Sequence, residues 1–314
     1  MPGPRSDRAP TDRAHGTFTD ARGSGPGHAD GVTTYQPVPA GRLLGTLRWP
    51  EVGDPLPILL VPLGSTEQHG PHLPLDTDTR IAVAIATTVA SRLPGLLVAP
   101  AFSYGASGEH AGFPGTLSLG TAVLELALVE LVRSADETAA GVVLVNGHGG
   151  NTAAVHRAVR LLGTEGRHVL AWAPRPSIAA AVGLPDAPGD LHAGRAETSL
   201  LLHLAPELVR ADAAARGPSP AIPDLRRHGV LPLSPTGVLG DPAGATAAEG
   251  AALLDAFATD AATHIEAWPP YQGRRASGTS GTSHTNGLPG TGSMPRAGRI
   301  SDTSGTSDAD RSLE

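Results

Sequence analysis

Five residues of this 314-residue chain combine side chains and spacing suited to holding a metal ion: Glu67, His69, Asp78, His148 and Glu197. Glu67 and His69 are separated by one residue, and in an extended segment positions i and i+2 point the same way, so both reach one ion. Asp78 follows nine residues after His69, enough for a loop to fold back over the same point. His148 stands in NGHGGN, where glycines let backbone approach closely, and Glu197 stands in HAGRAETS. Two imidazoles and three carboxylates, in a chain with no cysteine, suit a hard-to-borderline divalent ion such as Zn, Mn or Fe(II). Five ligands exceed what one catalytic ion with open positions uses. Two ions bridged by a carboxylate, with Asp78 as the bridge, would use them all. Each residue also has a plainer reading. Glu67 and His69 read as a solvated pair, His148 as satisfying buried backbone groups, Asp78 as a helix N-cap and Glu197 as a first-turn carboxylate. Their joint placement at strand–helix junctions favours the site.

The elements that must carry these residues alternate. Pro57 to Leu63 reads as a buried strand that runs into GSTEQHGPHLPLDTD, and Thr79 to Arg92 as the helix after it, closed by Pro94-Gly95. Leu96 to Pro100 is a second strand, followed by a long specific loop, Ala101 to Gly120. Thr121 is expected to cap a helix over Ala122 to Ala135. Gly141 to Val145 is a third strand leading into NGHGGN. Thr152 to Leu162 is a helix, and His168 to Trp172 a fourth strand. Ala196 to Leu204 and Thr246 to Ala267 read as further helices, with Pro206 to His228 mostly irregular. Val38 to Trp49 shows no more than an early turn or short helix. Strands alternating with helices predict an α/β fold with a largely parallel sheet, whose sites gather beyond the carboxyl ends of the strands.

Composition narrows the chemistry. No lysine is present, all 23 basic residues being arginine, so Schiff-base, PLP-lysine and P-loop-lysine mechanisms are excluded; thiol chemistry is excluded with cysteine. Net charge is −7 with no basic stripe, which argues against nucleic acid. No stretch suggests a membrane span or a secretory signal, and a cytoplasmic protein is expected. Residues 1–34 lack apolar periodicity and 273–314 are rich in Gly, Ser and Thr; both are expected to be disordered, leaving 35–272 as one domain.

Taken together, GSTEQHGPHLPLDTD, GEHAGFPGT, NGHGGN and HAGRAETS, in that order between Val61 and Gly244, resemble the creatininase family of amidohydrolases. The resemblance implies a three-layer α/β/α fold, often assembled as a hexamer, so a homo-oligomer is expected. It also implies a dinuclear centre with Glu67, His69, Asp78 and His148 as ligands and Asp78 bridging. One departure stands out: creatininase itself has a ligating Glu two residues after the motif histidine, where this chain has Gly150. Glu197 is expected to replace it. STEQHGPHLPLDTDTRIA and FSYGASGEHAGFPGTLSLG are most similar to the branch associated with mycofactocin biosynthesis. That similarity implies a modified precursor peptide as substrate, from which a C-terminal Val–Tyr dipeptide is released.

For amide hydrolysis, His192 is the candidate to bind the oxyanion or pass a proton to the leaving nitrogen; the alternative is that it only orients Glu197. Glu109 and His110 are expected to line the pocket, with Ser107 and Thr116 as weaker candidates. Hydrolysis of a small amide, such as creatinine or a formamide, is the alternative within the same chemistry. A nucleotide-binding module would need Gly-x-Gly-x-x-Gly or Gly-Lys-Ser/Thr, neither of which is present here. A non-catalytic partner in a biosynthetic complex would not need every presumptive ligand.

Overall fold

Residues 42–185 and 189–273 are described by the structure, a computed structural model; of the expected extensions, residues 1–34 and all of 273–314 except Gly273 lie outside them. Four strands, β1 (Ile58–Leu63), β2 (Leu96–Val98), β3 (Gly141–Asn146) and β4 (Val169–Trp172), form one sheet in the order β2-β1-β3-β4, every pair parallel. β1 and β3 are central and pair over their full length, from Ile58 opposite Gly141 to Leu63 opposite Asn146. Both are near-continuous apolar runs because helices cover both faces.

Period-2 alternation divides the core into two. Ile58, Leu60, Val143 and Val145 face one layer, with Ile85 and Val89 of α1 (Thr77–Arg92), Leu200 and Leu201 of α5 (Arg195–Leu204) and Phe257 of α7 (Ala247–Glu266). Val61, Leu63, Val142 and Leu144 face the other, with Leu124 and Leu128 of α2 (Thr121–Ala135) and Val155 and Leu162 of α3 (Thr152–Thr164). The expected three-layer α/β/α arrangement with a parallel sheet is therefore present. Leu144 is fully buried between layers, and truncating such a side chain to Ala costs about 2–5 kcal/mol.

Helix boundaries shift in ways that matter to the site. α1 starts at Thr77, two residues before the expected start, so Asp78 lies in its first turn and Asp76 takes the cap position, where it pairs with Arg80 at 2.8 Å. Thr121 is not a cap: it is already helical, and Gly120 precedes it with φ 72°. α5 begins at Arg195, and Glu197 does lie in its first turn. The segment expected to be irregular before His228 ends in a short helix, α6 (Ile222–His228). Thr246 caps α7, its hydroxyl accepting the Glu249 N–H at 3.1 Å. A short helix, α4 (Pro176–Ala181), follows β4.

Candidate metal centre

The loops beyond β1, β2 and β3 are tied to one another before any functional side chain is considered. Gly147 N–H donates to Leu63 O at 2.8 Å, and Gly64 N–H donates to Phe102 O at 2.9 Å. Asn151, which closes NGHGGN, is the clasp. Its amide donates to Gly64 O at 3.0 Å and to Asn146 Oδ1 at 3.1 Å, and its Oδ1 accepts the Ala106 N–H at 2.8 Å. One fully buried side chain thus fixes three strand ends relative to one another.

On this frame Glu67, His69, Asp78, His148 and Glu197 converge. His69 Nε2 lies 3.0 Å from Asp78 Oδ1, and His148 Nδ1 lies 3.1 Å from Asp78 Oδ2. Glu67 Oε2 lies 3.1 Å from His148 Nε2, and Glu197 Oε2 lies 3.9 Å from His69 Nε2. Glu67, Asp78 and His148 form one three-ligand group, and His69, Asp78 and Glu197 form another. Asp78 belongs to both. In a third group His69 and Glu67 come together with His192.

These residues fit a divalent ion on the state of Glu67. Its carboxylate is fully buried, yet neither oxygen receives a well-aimed hydrogen bond from a described residue. Buried, undirected carboxylate oxygens are costly unless a cation meets them. His69 Nδ1 sits 3.1 Å from the Glu67 carbonyl, which fixes the ring and turns Nε2 inward. Contacts of about 3 Å between these nitrogens and oxygens match ligand atoms sharing one ion at about 2.0–2.2 Å.

Electrostatics point the same way. Burial alone would lower His69, but Asp78, Glu197 and Glu67 lift it to about 10; for His148 burial is likewise overcome by Glu67 and Asp78, to about 9. Burial would raise Asp78, yet His69 and His148 hold it well below the usual carboxylate range. Glu67 is pushed up to about 7 by burial, with His148 opposing, and Glu197 to about 7 by burial, with His69 opposing. Without metal, protonated imidazoles keep Asp78 charged while burial favours the neutral forms of Glu67 and Glu197, so added positive charge is what the site demands.

Around the cluster, Gln68 organises two more histidines. Its amide nitrogen lies 2.8 Å from His110 Nδ1 and donates to Gly237 O at 3.1 Å, which uses both of its protons. The close approach requires Gly237, whose φ is 83° and where a Cβ would fall 1.8 Å from Gln68 Oε1. His110 is then protonated on Nε2, 3.2 Å from Glu67 Oε1. His192 Nε2 donates to Gln68 O at 2.7 Å, leaving Nδ1 unprotonated and 3.7 Å from Glu67 Oε1. Burial first, then neighbouring His148 for His110 and His69 for His192, hold both rings neutral. Glu109 is half-buried, with Oε1 3.7 Å from His148 Nε2. Ser107 is buried beside the cluster, whereas the Thr116 hydroxyl accepts the Gln68 N–H at 3.1 Å and stabilises the turn.

Several contributors were not singled out from sequence. Ser65 Oγ donates to Asp78 Oδ2 at 2.7 Å, orienting the carboxylate both groups share. Asp190 accepts the Arg195 and Ala196 N–H groups at 2.9 and 2.7 Å, anchoring the start of α5. Ala193 holds a positive φ of 51°, which aims its N–H at Glu197 Oε2, 2.6 Å away. The repeated Asn at both ends of NGHGGN was the signal available for Asn151; the others carried none.

The profile of the creatininase family, described as creatinine amidohydrolase, matches residues 45–265. The chain belongs to the creatininase family. It is 48% identical over 236 residues to a mycofactocin precursor peptide peptidase of Mycolicibacterium smegmatis, covering 72% of this chain and 92% of that protein. Identity to the creatinine amidohydrolase of Pseudomonas putida is 30% over 259 residues, covering 72% and 97%. A solved manganese creatininase superposes with a TM-score of 0.60 at 28% identity, covering 73% of this chain and 99% of that one. A creatininase mutant described as the Zn-Zn type gives the same TM-score and identity, covering 73% and 98%. As a member of the creatininase family, the protein is a hydrolase.

Proposed function

We propose that this protein is a metal-dependent peptidase that releases the modified C-terminal Val–Tyr dipeptide from the mycofactocin precursor peptide. The observation that carries the catalytic half is the sharing of Asp78 by two three-ligand groups. The similarity to mycofactocin precursor peptide peptidases over most of their length supports the substrate. Glu67, Asp78 and His148 would hold one ion, and His69, Asp78 and Glu197 a second, with Zn, Fe(II) or Mn all compatible with such ligands. Bound there, the metal supplies Lewis acidity toward the amide carbonyl and lowers the pKa of water toward neutrality.

The chain's own groups divide the remaining work. Ser65 holds the carboxylate of Asp78 in place, and His110 places its Nε2 3.2 Å from Glu67 Oε1. His192 presents an unprotonated Nδ1 to the site, the atom suited to take a proton from water and return it to the departing nitrogen. Glu109 borders the same space and is a candidate to position the attacking water. In the overall step water's oxygen bonds to the acyl carbon, the C–N bond breaks, and nitrogen leaves with its electron pair and one proton.

A cytoplasmic location is part of the same proposal; no helix among the described residues is long and apolar enough to cross a membrane. Val123 and Leu126 of α2 are 54% and 62% exposed, and such an apolar face supports an assembly of identical chains. The test is mass spectrometry of a modified precursor peptide incubated with metal-replete protein. Release of the dipeptide is expected, lost on chelation and in Glu67→Ala; an intact peptide with metal bound would overturn the substrate assignment.

A further inference from the structure

Gln68 stands in sequence between Glu67 and His69, two of the proposed metal ligands, yet its buried carboxamide brings no charge to the cluster. Its neighbours decide which end of that amide is oxygen. The Gly70 N–H donates to Oε1 at 2.9 Å, and Nε2 donates to the Gly237 carbonyl at 3.1 Å. A reversed amide would set oxygen against oxygen at Gly237 and hydrogen against hydrogen at Gly70. Nε2 is therefore the atom that lies 2.8 Å from His110 Nδ1, and it arrives there with a proton. His110 Nδ1 must meet it with a lone pair, which leaves the ring proton on Nε2.

His192 is fixed by the main chain of the same residue. Its Nε2 lies 2.7 Å from the Gln68 carbonyl oxygen, which only accepts, so the ring proton sits on Nε2 and Nδ1 keeps its lone pair. The 3.1 Å contact between His192 Nε2 and Gln68 Nε2 is not a hydrogen bond, because both amide protons are spent on His110 and Gly237. One short segment holds this frame together. Gly237 supplies the carbonyl for the amide, and Leu239 exchanges two main-chain hydrogen bonds with His192, at 2.8 and 3.0 Å.

The two rings, with centroids 4.4 Å apart, thus present opposite groups to one buried oxygen. His110 places Nε2–H 3.2 Å from Glu67 Oε1, and His192 places its bare Nδ1 3.7 Å from the same atom. Reversing His110 would turn a lone pair toward the carboxylate. It would also put a second unprotonated nitrogen beside Glu67, in competition with His192 for any proton released there.

We propose that Gln68 is a positioning residue for hydrolysis: its carboxamide holds the His110 proton on Nε2 and so reserves His192 Nδ1 as the proton acceptor beside Glu67. This rests on the reading above in which His192 carries a proton from water to the leaving nitrogen, and adds the residue that keeps that route exclusive.

The test uses zinc-loaded full-length protein with histidine labelled by nitrogen-15. Long-range proton–nitrogen correlation spectra report which ring nitrogen carries hydrogen, with signals assigned through His110→Asn and His192→Asn. Both rings are expected to carry one proton, on Nε2. In Gln68→Met, which keeps the length of the side chain and removes its donor, His110 should shift toward the Nδ1–H form; His192, held by the main chain, should not. The same variant should lower kcat for the precursor peptide by about 10–100-fold, with KM and zinc content little changed. Gly237→Ala, whose Cβ would fall 1.8 Å from Gln68 Oε1, dislodges the amide without deleting it and should move the His110 signal the same way. Circular dichroism checks the fold of each variant, and if Gln68→Met fails to fold, Gly237→Ala decides. A native His110 protonated on Nδ1, or either ring protonated on both nitrogens, would overturn the proposal. So would an unchanged His110 signal in a folded variant, native kcat in Gln68→Met, or a loss of zinc that matches the loss of kcat. The expected tautomers and their shift in the variant, in a protein that leaves the precursor peptide intact, would uphold the role of Gln68 and overturn the peptidase reading alone.

Discussion

A Cβ placed on Gly150 would lie 2.2 Å from Glu109 Oε1 and 2.4 Å from His148 Nε2, so the bare backbone at 150 is what admits Glu109 beside His148. The same Cβ would lie 2.4 Å from the Ala106 carbonyl oxygen, so backbone as well as side chains would have to give. Gly150→Ala should therefore force Glu109 and His148 apart. A cost of about 1–3 kcal/mol in stability is expected from overpacking, together with a fall of about tenfold or more in kcat/KM. Thermal denaturation and peptide turnover measured on the same preparation separate the two effects. Unchanged turnover would show that Glu109 has no part in the reaction.

Asp78 is the residue on which both ligand groups depend. Asp78→Ala should drop metal content toward zero, whereas Glu197→Ala should spare the group formed by Glu67, Asp78 and His148. Metal per chain by elemental analysis, after exhaustive loading and gel filtration, distinguishes the two outcomes. An Asp78→Ala protein that keeps as much metal as the native chain would remove Asp78 from the bridging role.

The parts of this site that sequence revealed are those whose chemistry is carried by residue type. A carboxylate and an imidazole two residues apart, or a histidine among glycines after an apolar run, announce themselves because few structural roles demand them. The sheet was legible for a related reason: β1 and β3 are buried on both faces and read as unbroken apolar runs. What stayed hidden acts through backbone geometry or long-range pairing. Asn151 works by reaching Gly64, 87 residues away, and Ala193 by a positive φ that its side chain does nothing to advertise. Helix starts were displaced where polar residues at the junction had a second use. Asp78 looked like a cap, yet it sits inside α1 with its carboxylate turned to His69 and His148.

Metal loading should release protons. In the metal-free protein His69 and His148 have values raised to about 10 and about 9, so both carry a proton at pH 7.5, and neither can ligate until it is lost. Calorimetric titration with Zn in two buffers of different ionisation enthalpy should report about two protons released per chain. The stability of the metal-free protein follows from the same shifts. A histidine whose folded value is raised stabilises fully below its unfolded value of about 6.5, and that contribution disappears as pH climbs through the folded values. Chelated protein should thus melt progressively lower from pH 6.5 to 10, while metal-loaded protein should not. A flat profile for the chelated form would mean that the imidazoles are neutral without metal.

The loop that carries Glu67 and His69 is joined to the helix that carries Glu197 through His72, whose Nε2 lies 3.0 Å from Thr198 Oγ1, 126 residues away. His72 is buried, and burial, with His69 nearby, lowers it to about 4, so it meets Thr198 as a neutral ring. Thr198 is the residue after Glu197, and this bond helps set the distance at which Glu197 faces His69. Thr198→Val keeps the shape and removes the hydroxyl; Thr198→Ser keeps the hydroxyl. Groups that orient a metal ligand are typically worth 10–100-fold in metal affinity. Thr198→Val should therefore weaken the more weakly held metal by about tenfold or more in competition with a chelator, and Thr198→Ser should restore it. Equal weakening in both variants would point to packing of α5 rather than to the hydrogen bond. Native affinity in Thr198→Val would show that Glu197 is positioned by Ala193 and Asp190 without help from His72.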